Sequence, residues 1–267
     1  MKWSVLSDNR SLDDRLLTEH GLSIFLSTGT HNLLLDTGAS DIFLLNARKM
    51  GIDLSTVDYV FISHGHSDHA GGLRHFLKIN NKAKVIVSPH AMSRKFYSKR
   101  NFLHSITTEW NSIPEERIIS PNASETITEG IKVIANIKKT HDVPKGNHNL
   151  YVENGDGEYV HDDFRHEMAL YANGLLFTGC AHNGLENILE ACHEPIATVV
   201  GGFHLLDGME SVEELSLLAE RLRQSYPETL FCTSHCTGND AFRIMKEVMG
   251  SQLRQFSCGT SVSSVYP

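Results

Sequence analysis

The stretch His64-Gly65-His66-Ser67-Asp68-His69 constrains this chain more than any other part of it. It follows the apolar run Tyr59-Val60-Phe61-Ile62 and leads into Ala70-Gly71-Gly72-Leu73, so it leaves a buried strand and enters a helix. On such a segment the backbone can splay four donor side chains around a common centre. Neutral imidazole and carboxylate suit zinc and its borderline neighbours, and open sites built from them hold a water rather than a purely structural ion. A polar loop with scattered histidines is the alternative, but chance loops rarely place four ligands at this spacing directly after a strand.

The flanking pattern predicts the scaffold. Strands are expected over 3–6, 22–26 and 32–35, then a helix opened by Ser40 and stopped by Gly51, the strand 59–63, a helix through His75 and Phe76 to about 79, and a strand over 84–88. Further on, 131–137 reads as a strand, and the Asn173-Gly174 turn between 168–171 and 175–178 reads as a hairpin. Helices over 185–192, 212–225 and 241–249 then alternate with strands over 197–200 and 230–233. Such alternation predicts mixed sheets covered by helices. Between 94 and 129 the periodicity weakens around isolated aromatics, Pro114 and Pro121, which reads as an inserted, partly helical lid or binding loop. No linker divides the chain and 40% of it is hydrophobic, so 1–267 is read as a single domain.

Composition excludes some roles. A formal net charge of -8 argues against a broad nucleic-acid surface, which needs clustered Lys and Arg. The opening Met1-Lys2-Trp3-Ser4-Val5-Leu6 lacks a basic segment followed by a long apolar stretch, and no later run approaches spanning length; a cytoplasmic protein with no membrane partner is expected. Five cysteines at irregular spacings read as thiols rather than a disulfide framework. Arg94, Lys95, Lys99 and Arg100 sit among Phe96, Tyr97 and Phe102, a mixture that suits a small anionic ligand with a ring, although such a run is ordinarily a solvated helix face.

Among sixteen histidines, position is the useful test. His182, His204 and His235 each lie just beyond a predicted buried strand, where α/β enzymes gather reactive side chains, and together they would meet the His64 loop. His20, His31, His75, His90, His104, His161 and His193 lack this setting and read as surface or satisfied histidines. Asp36 ends an apolar strand, where an unpaired carboxylate is costly, so it should be hydrogen-bonded to the metal loop from outside the ligand set. No G-x-S-x-G elbow or Walker-type loop is present.

His64, His66, Asp68 and His69 with Ala70-Gly71-Gly72-Leu73 resemble the signature of the metallo-β-lactamase superfamily, and Leu33-Leu34-Leu35-Asp36-Thr37-Gly38 resembles its first motif. Glu19-His20-Gly21-Leu22-Ser23, Asp163-Phe164-Arg165-His166-Glu167, Thr178-Gly179-Cys180-Ala181-His182, Gly201-Gly202-Phe203-His204-Leu205 and His235-Cys236-Thr237-Gly238 are similar to the branch of 7,8-dihydropterin-6-ylmethyl-4-(β-D-ribofuranosyl)aminobenzene 5′-phosphate synthases. The resemblance thins between about 94 and 139. It implies an α/β fold built as a four-layer αββα sandwich, with two divalent metal ions, zinc first and manganese or iron as alternatives.

Carried over residue by residue, the resemblance gives His64 and His66 to the first metal, Asp68 and His69 to the second, and His235 to completing the second. The usual bridging aspartate is Cys180 here, which either ligates as thiolate or packs as a small apolar residue. The first metal's third histidine is His182 or His141, and the branch motif favours His182. His204 fits a substrate or proton-transfer role and is grouped with Asp68 as catalytic. His166-Glu167 is either a clamp between layers or a substrate contact. Arg94, Phe96, Tyr97, Phe102, Phe203 and His166 are the candidates for holding a flat ring and its phosphate. The expected function is metal-assisted hydrolysis of a phosphorylated or phosphodiester small molecule, with pterin-related substrates in view. The competing expectation is an iron-dependent oxidoreductase or dioxygenase on the same fold.

Overall fold

The computed structural model describes residues 1–263. Two seven-stranded sheets form its centre. The first runs, in spatial order, Ser261–Ser263, Lys2–Ser7, Ser23–Ser27, Asn32–Leu35, Tyr59–Phe61, Lys84–Ile86 and Ile118–Ile119. The second runs Leu253–Gln255, Leu230–Thr233, Thr198–Gly201, Leu175–Phe177, Ala169–Ala172, Ile131–Ile134 and Glu125–Thr128.

Strand residues alternate faces, and here both faces are covered, which is why these strands read as continuous apolar runs rather than as alternating ones. In the first sheet Leu34, Val60 and Val85 point outward onto Phe43, Ala47 and Phe76 of the helices Ile42–Lys49 and Leu73–Phe76. Their neighbours Leu33, Leu35, Phe61 and Ile86 point inward and meet Leu175, Phe177, Val200 and Cys232 of the second sheet. Leu176, Val199 and Phe231 face the opposite way, onto Ile188, Leu189, Leu215, Leu222 and Met245 of the helices Leu185–Ala191, Val212–Ser225 and Asn239–Met249. The layers are therefore helix, sheet, sheet, helix, the αββα architecture implied by the motifs.

Local chemistry sets the element ends. Asn173 and Gly174, at φ 44 and 90, make the tight turn between Ala169–Ala172 and Leu175–Phe177. Ser211 caps Val212–Ser225 through a reciprocal pair with Glu214, its Oγ accepting from the Glu214 N–H at 3.1 Å and its own N–H donating to Oε2 at 2.8 Å. Asp41 rather than Ser40 occupies the cap position of Ile42–Lys49, while the Ser40 hydroxyl donates to Glu19 Oε2 at 2.6 Å and accepts the Ile42 N–H at 3.3 Å.

The segment 94–129 differs from expectation: among its described elements there is one short 3-10 turn and no α-helix, and its strands go to three sheets. Ile118–Ile119 and Glu125–Thr128 become outer strands of the two large sheets. Only Phe96–Ser98 and His104–Ser105 stand apart, in a four-stranded sheet with Leu150–Glu153 and Tyr159–His161. That sheet leans on the histidine loop through the Ser67 N–H to Ile106 carbonyl bond at 2.8 Å.

Gly71 and Gly72, which follow the histidine loop, sit where backbone meets backbone. A Cβ on Gly72 would fall 2.1 Å from the Thr37 carbonyl oxygen and 2.5 Å from that of Ser40; one on Gly71 would fall 2.5 Å from the Ala39 oxygen. Gly72→Ala is therefore expected to destabilise the chain by about 1–3 kcal/mol, the usual range for overpacking. A lower denaturant midpoint at unchanged m-value is the readout. Among the described residues no helix is long and apolar enough to cross a membrane.

Candidate metal centre

Parallel strands bring the site together. Asn32–Leu35, Tyr59–Phe61 and Lys84–Ile86 run parallel in one sheet, and Leu175–Phe177, Thr198–Gly201 and Leu230–Thr233 run parallel in the other. The loops that leave their C-terminal ends carry Asp36, the His64 loop, Cys180 with His182, His204, and His235. Asp36, Ala181, His204 and His235 all adopt left-handed backbone, with φ between 50 and 58. For residues other than glycine this conformation is uncommon and is tolerated where surrounding bonds enforce it.

Those bonds fix the imidazole tautomers. Asp36 accepts from the Ser63 N–H at 2.7 Å, the Ser63 hydroxyl at 2.7 Å and His69 Nδ1 at 2.6 Å. Since the Ser63 proton goes to Asp36, His64 Nδ1, 2.8 Å from Ser63 Oγ, must be the donor in that contact. His182 Nδ1 lies 2.9 Å from Asn147 Oδ1, whose amide nitrogen is already committed to the His182 carbonyl. His235 Nδ1 lies 2.9 Å from Asn9 Oδ1. Each ring thus spends its Nδ1 proton on an outer oxygen and turns the Nε2 lone pair inward, the arrangement that orients metal ligands.

The inward atoms form two adjoining groups. His64, His66 and His182 bring ligand atoms within 4.8 Å of one another, and their Nε2 atoms are buried with no hydrogen-bond partner. Burial, reinforced by neighbouring imidazoles, holds His64 and His182 well below the ordinary histidine pKa and takes His66 to about 4, so all three stay neutral. In the second group His69 Nε2 is 3.1 Å from both His235 Nε2 and Cys180 Sγ. Asp68 Oδ2 lies 3.4 Å from His235 Nε2 and 3.6 Å from His69 Nε2. Burial opposes a charge on His69, but Asp68 and Asp36 outweigh it and lift its pKa to about 9. Orphaned neutral nitrogens in one group and a field favouring positive charge in the other both fit bound cations.

Outside these groups lies a supporting layer. His166 Nδ1 accepts the Gly65 N–H at 2.9 Å and its Nε2 lies 2.9 Å from Asp162 Oδ2. With both nitrogens taken and the ring fully buried, His166 clamps the loop and is not available to a substrate. Glu167 accepts from the N–H groups of His182 and Asn183, each at 2.7 Å, and its burial raises its pKa to about 7.

His204 stands at the cleft face of the first group, its ring centroid 4.1 Å from that of His182 and both ring nitrogens without partners. The other candidates are dispersed. His141 is on the outer surface, 2.6 Å from Glu190 Oε1, so it does not complete the first group. Phe203 turns into the core under the helices because its neighbour His204 turns to the cleft. Arg94 pairs with Asp163 at 2.6 Å and does not line the cleft. Alternation along Phe96–Ser98 packs Phe96 behind His66 and His166 and sends Tyr97 to Glu153 Oε2 at 2.8 Å. Phe102 is 70% exposed beside His104. Ser98, Arg100 and His104 instead line the cleft of about 240 Å³ above the centre.

Two residues escaped the sequence reading. His20 is not a bystander: it stacks on His235 at 5.1 Å and comes within 3.4 Å of Asp68. Cys236 lies with its sulfur 3.2 Å from Cys180 Sγ.

A layered αββα scaffold whose strand ends converge on unpartnered imidazoles, thiols and a carboxylate defines a metal-dependent class of protein. Residues 18–235 match the model of the metallo-beta-lactamase superfamily, and the chain belongs to that superfamily, with the fold of its metal-dependent hydrolases. A solved metal-dependent hydrolase of the β-lactamase superfamily is 30% identical, with 99% of each chain covered and a TM-score of 0.83. An uncharacterised protein of Methanocaldococcus jannaschii is 28% identical over 96% of each chain. The 7,8-dihydropterin-6-methyl-4-(beta-D-ribofuranosyl)-aminobenzene-5'-phosphate synthase of the same organism is 23% identical over 96% of this chain and 94% of its own, which supports the branch resemblance.

Proposed function

We propose that the protein is a two-metal hydrolase of small phosphorylated or phosphodiester compounds, with pterin-related molecules among its substrates. The observation that carries this reading is the pair of adjoining donor groups, with the orphaned Nε2 atoms of His64, His66 and His182 beside His69, His235, Asp68 and Cys180. Imidazole, carboxylate and thiolate in this mixture suit zinc. Ions bound there would acidify water and polarise the phosphoryl oxygen. His204, which lines the cleft and whose two buried ring nitrogens have no hydrogen-bond partner, would deliver a proton to the leaving oxygen. Ser98, whose buried hydroxyl has no partner, and Arg100, which is 2.9 Å from Asp207, would orient the anionic end of the substrate. The phosphate in the name of the 23% identical relative supports an anionic substrate, and the net charge of -8 supports a small molecule over a nucleic acid.

A panel of phosphomonoesters, phosphodiesters, lactones and thioesters, assayed with zinc and with manganese, tests the proposal. Phosphodiester cleavage should be lost in His204→Ala while metal content stays unchanged. Arg100→Ala should raise KM for phosphorylated substrates about tenfold, or about 1.4 kcal/mol, with little change in kcat. Turnover of lactones or thioesters alone would sink the phosphate reading. Iron in protein purified without added metal, together with oxygen consumption, would replace hydrolysis by oxidoreduction.

A further inference from the structure

We propose that Cys236 is a second sulfur ligand of this centre, so that His69, His235, Cys180 and Cys236 form a two-imidazole, two-thiolate position that selects a thiophilic ion. The inference rests on the metal-centre reading above, but not on hydrolysis.

The donor atoms are gathered somewhat more tightly than the edges of a tetrahedron around a bound ion. Bond lengths of about 2.0–2.1 Å to imidazole and about 2.3 Å to thiolate put ligand atoms of a four-coordinate zinc roughly 3.3–3.8 Å apart. The observed separations are 3.1 Å from His69 Nε2 to His235 Nε2, 3.1 Å from His69 Nε2 to Cys180 Sγ and 3.2 Å between the two sulfurs. Cys180, His235 and Cys236 have donor atoms within 4.8 Å of one another, which places Cys236 beside His235 as well as beside Cys180. All four side chains are buried, with residue exposures of 0–3%. The sulfur separation is too long for a disulfide, whose bond is about 2.05 Å, and both cysteines are free.

The fold also makes room for this thiol specifically. A Cβ on Gly202 would fall 2.3 Å from Cys236 Sγ, so the glycine is what lets the sulfur reach inward. The His204 backbone N–H points at the same sulfur from 3.3 Å, an outer hydrogen bond of the kind that steadies a coordinating thiolate. Gly202 is tied in turn to the Gly179 carbonyl at 2.7 Å, which locks the Cys180 loop to the Cys236 pocket.

Two consequences separate this position from the three-imidazole one beside it. Two thiolates favour zinc and other thiophilic ions over manganese or magnesium. Asp68, whose side chain is 21% exposed while His69 and His235 are at 0%, is left outside this four-ligand set as a fifth donor that would trade with water or substrate.

X-ray absorption on the zinc-loaded full chain counts the sulfurs directly. About two zinc-bound sulfurs per chain are expected; one, or none, overturns the proposal, whatever the number of zincs. With cobalt alone as probe, Cys236→Ser should reduce the thiolate-to-metal charge-transfer band to about half of wild type at unchanged circular dichroism. An undiminished band in a folded Cys236→Ser protein overturns it as well. If that variant does not fold, the wild-type sulfur count still decides. Two bound sulfurs without phosphoester turnover would keep this assignment and sink the proposed function; turnover with a single bound sulfur would do the reverse.

Discussion

Asp68→Ala should yield a folded and inactive protein. The carboxylate stands within 3.4–3.6 Å of His20, His69 and His235 at the open side of the centre, where the reacting group would approach. Its loss should therefore exceed the roughly 10–100-fold effect typical of removing an outer partner of a ligand. The fold should survive, because the Asp68 side chain supports no buried backbone group and the apolar layers supply most of the stability. The measurements are kcat/KM, metal stoichiometry and far-ultraviolet circular dichroism on one preparation. A metal-free wild-type chain that is itself unfolded would show that the ions are structural, and this division of labour would fall.

Asp36→Ala should do the opposite and damage the fold first. Truncation leaves the Ser63 N–H, the Ser63 hydroxyl and the His69 Nδ1 proton buried with no acceptor. Breaking a buried pair of this kind costs about 3–5 kcal/mol, and alanine suits the φ of 54 at this position less well than aspartate does. Asp36→Asn is the sharper variant. Its amide oxygen can still receive the Ser63 N–H, but its NH2 would face His69 Nδ1 and force that ring to carry its proton on Nε2, the atom needed for a metal. A folded Asp36→Asn protein that has lost the ion at His69 is the expected result. Retention of that ion at wild-type affinity would refute the tautomer argument.

What the sequence disclosed depended on whether the informative contacts were local. The His64 loop carries its ligands within one turn of chain, so spacing alone exposed it. His182, His204 and His235 were legible because each follows an apolar run long enough to mark a strand buried on both faces. His20 lies on a loop between weak signals and acquires its place only when His235, more than two hundred residues later, stacks on it. Cys236 is hidden beside a stronger neighbour, since a lone thiol next to a histidine has no periodic signature. The small sheet is illegible in the sequence for a related reason. Tyr97 pairs with Tyr151 across a stretch that also feeds both large sheets, and its nearer partner, His104–Ser105, is only two residues long, so no nearby pattern announces a strand. Phe203 illustrates parity: two adjacent residues leaving a strand take opposite sides, and choosing His204 for the cleft already excluded Phe203.

The centre also lies across the seam of the molecule. His64 and His69 hang from the first sheet, whereas Cys180, His182 and His235 hang from the second. Ions held there would rivet two halves already joined by apolar contact and by hydrogen bonds such as Gly65 N–H to His166 Nδ1, each adding RT ln(1 + [L]/Kd) to the work of parting them. The same rivets would bear on the rate of opening more than on the rate of closing, because the seam must assemble before an ion can span it. A chelator would then act on this protein as a solvent acts on glue: the pieces keep their shapes, and what changes is how long they stay together.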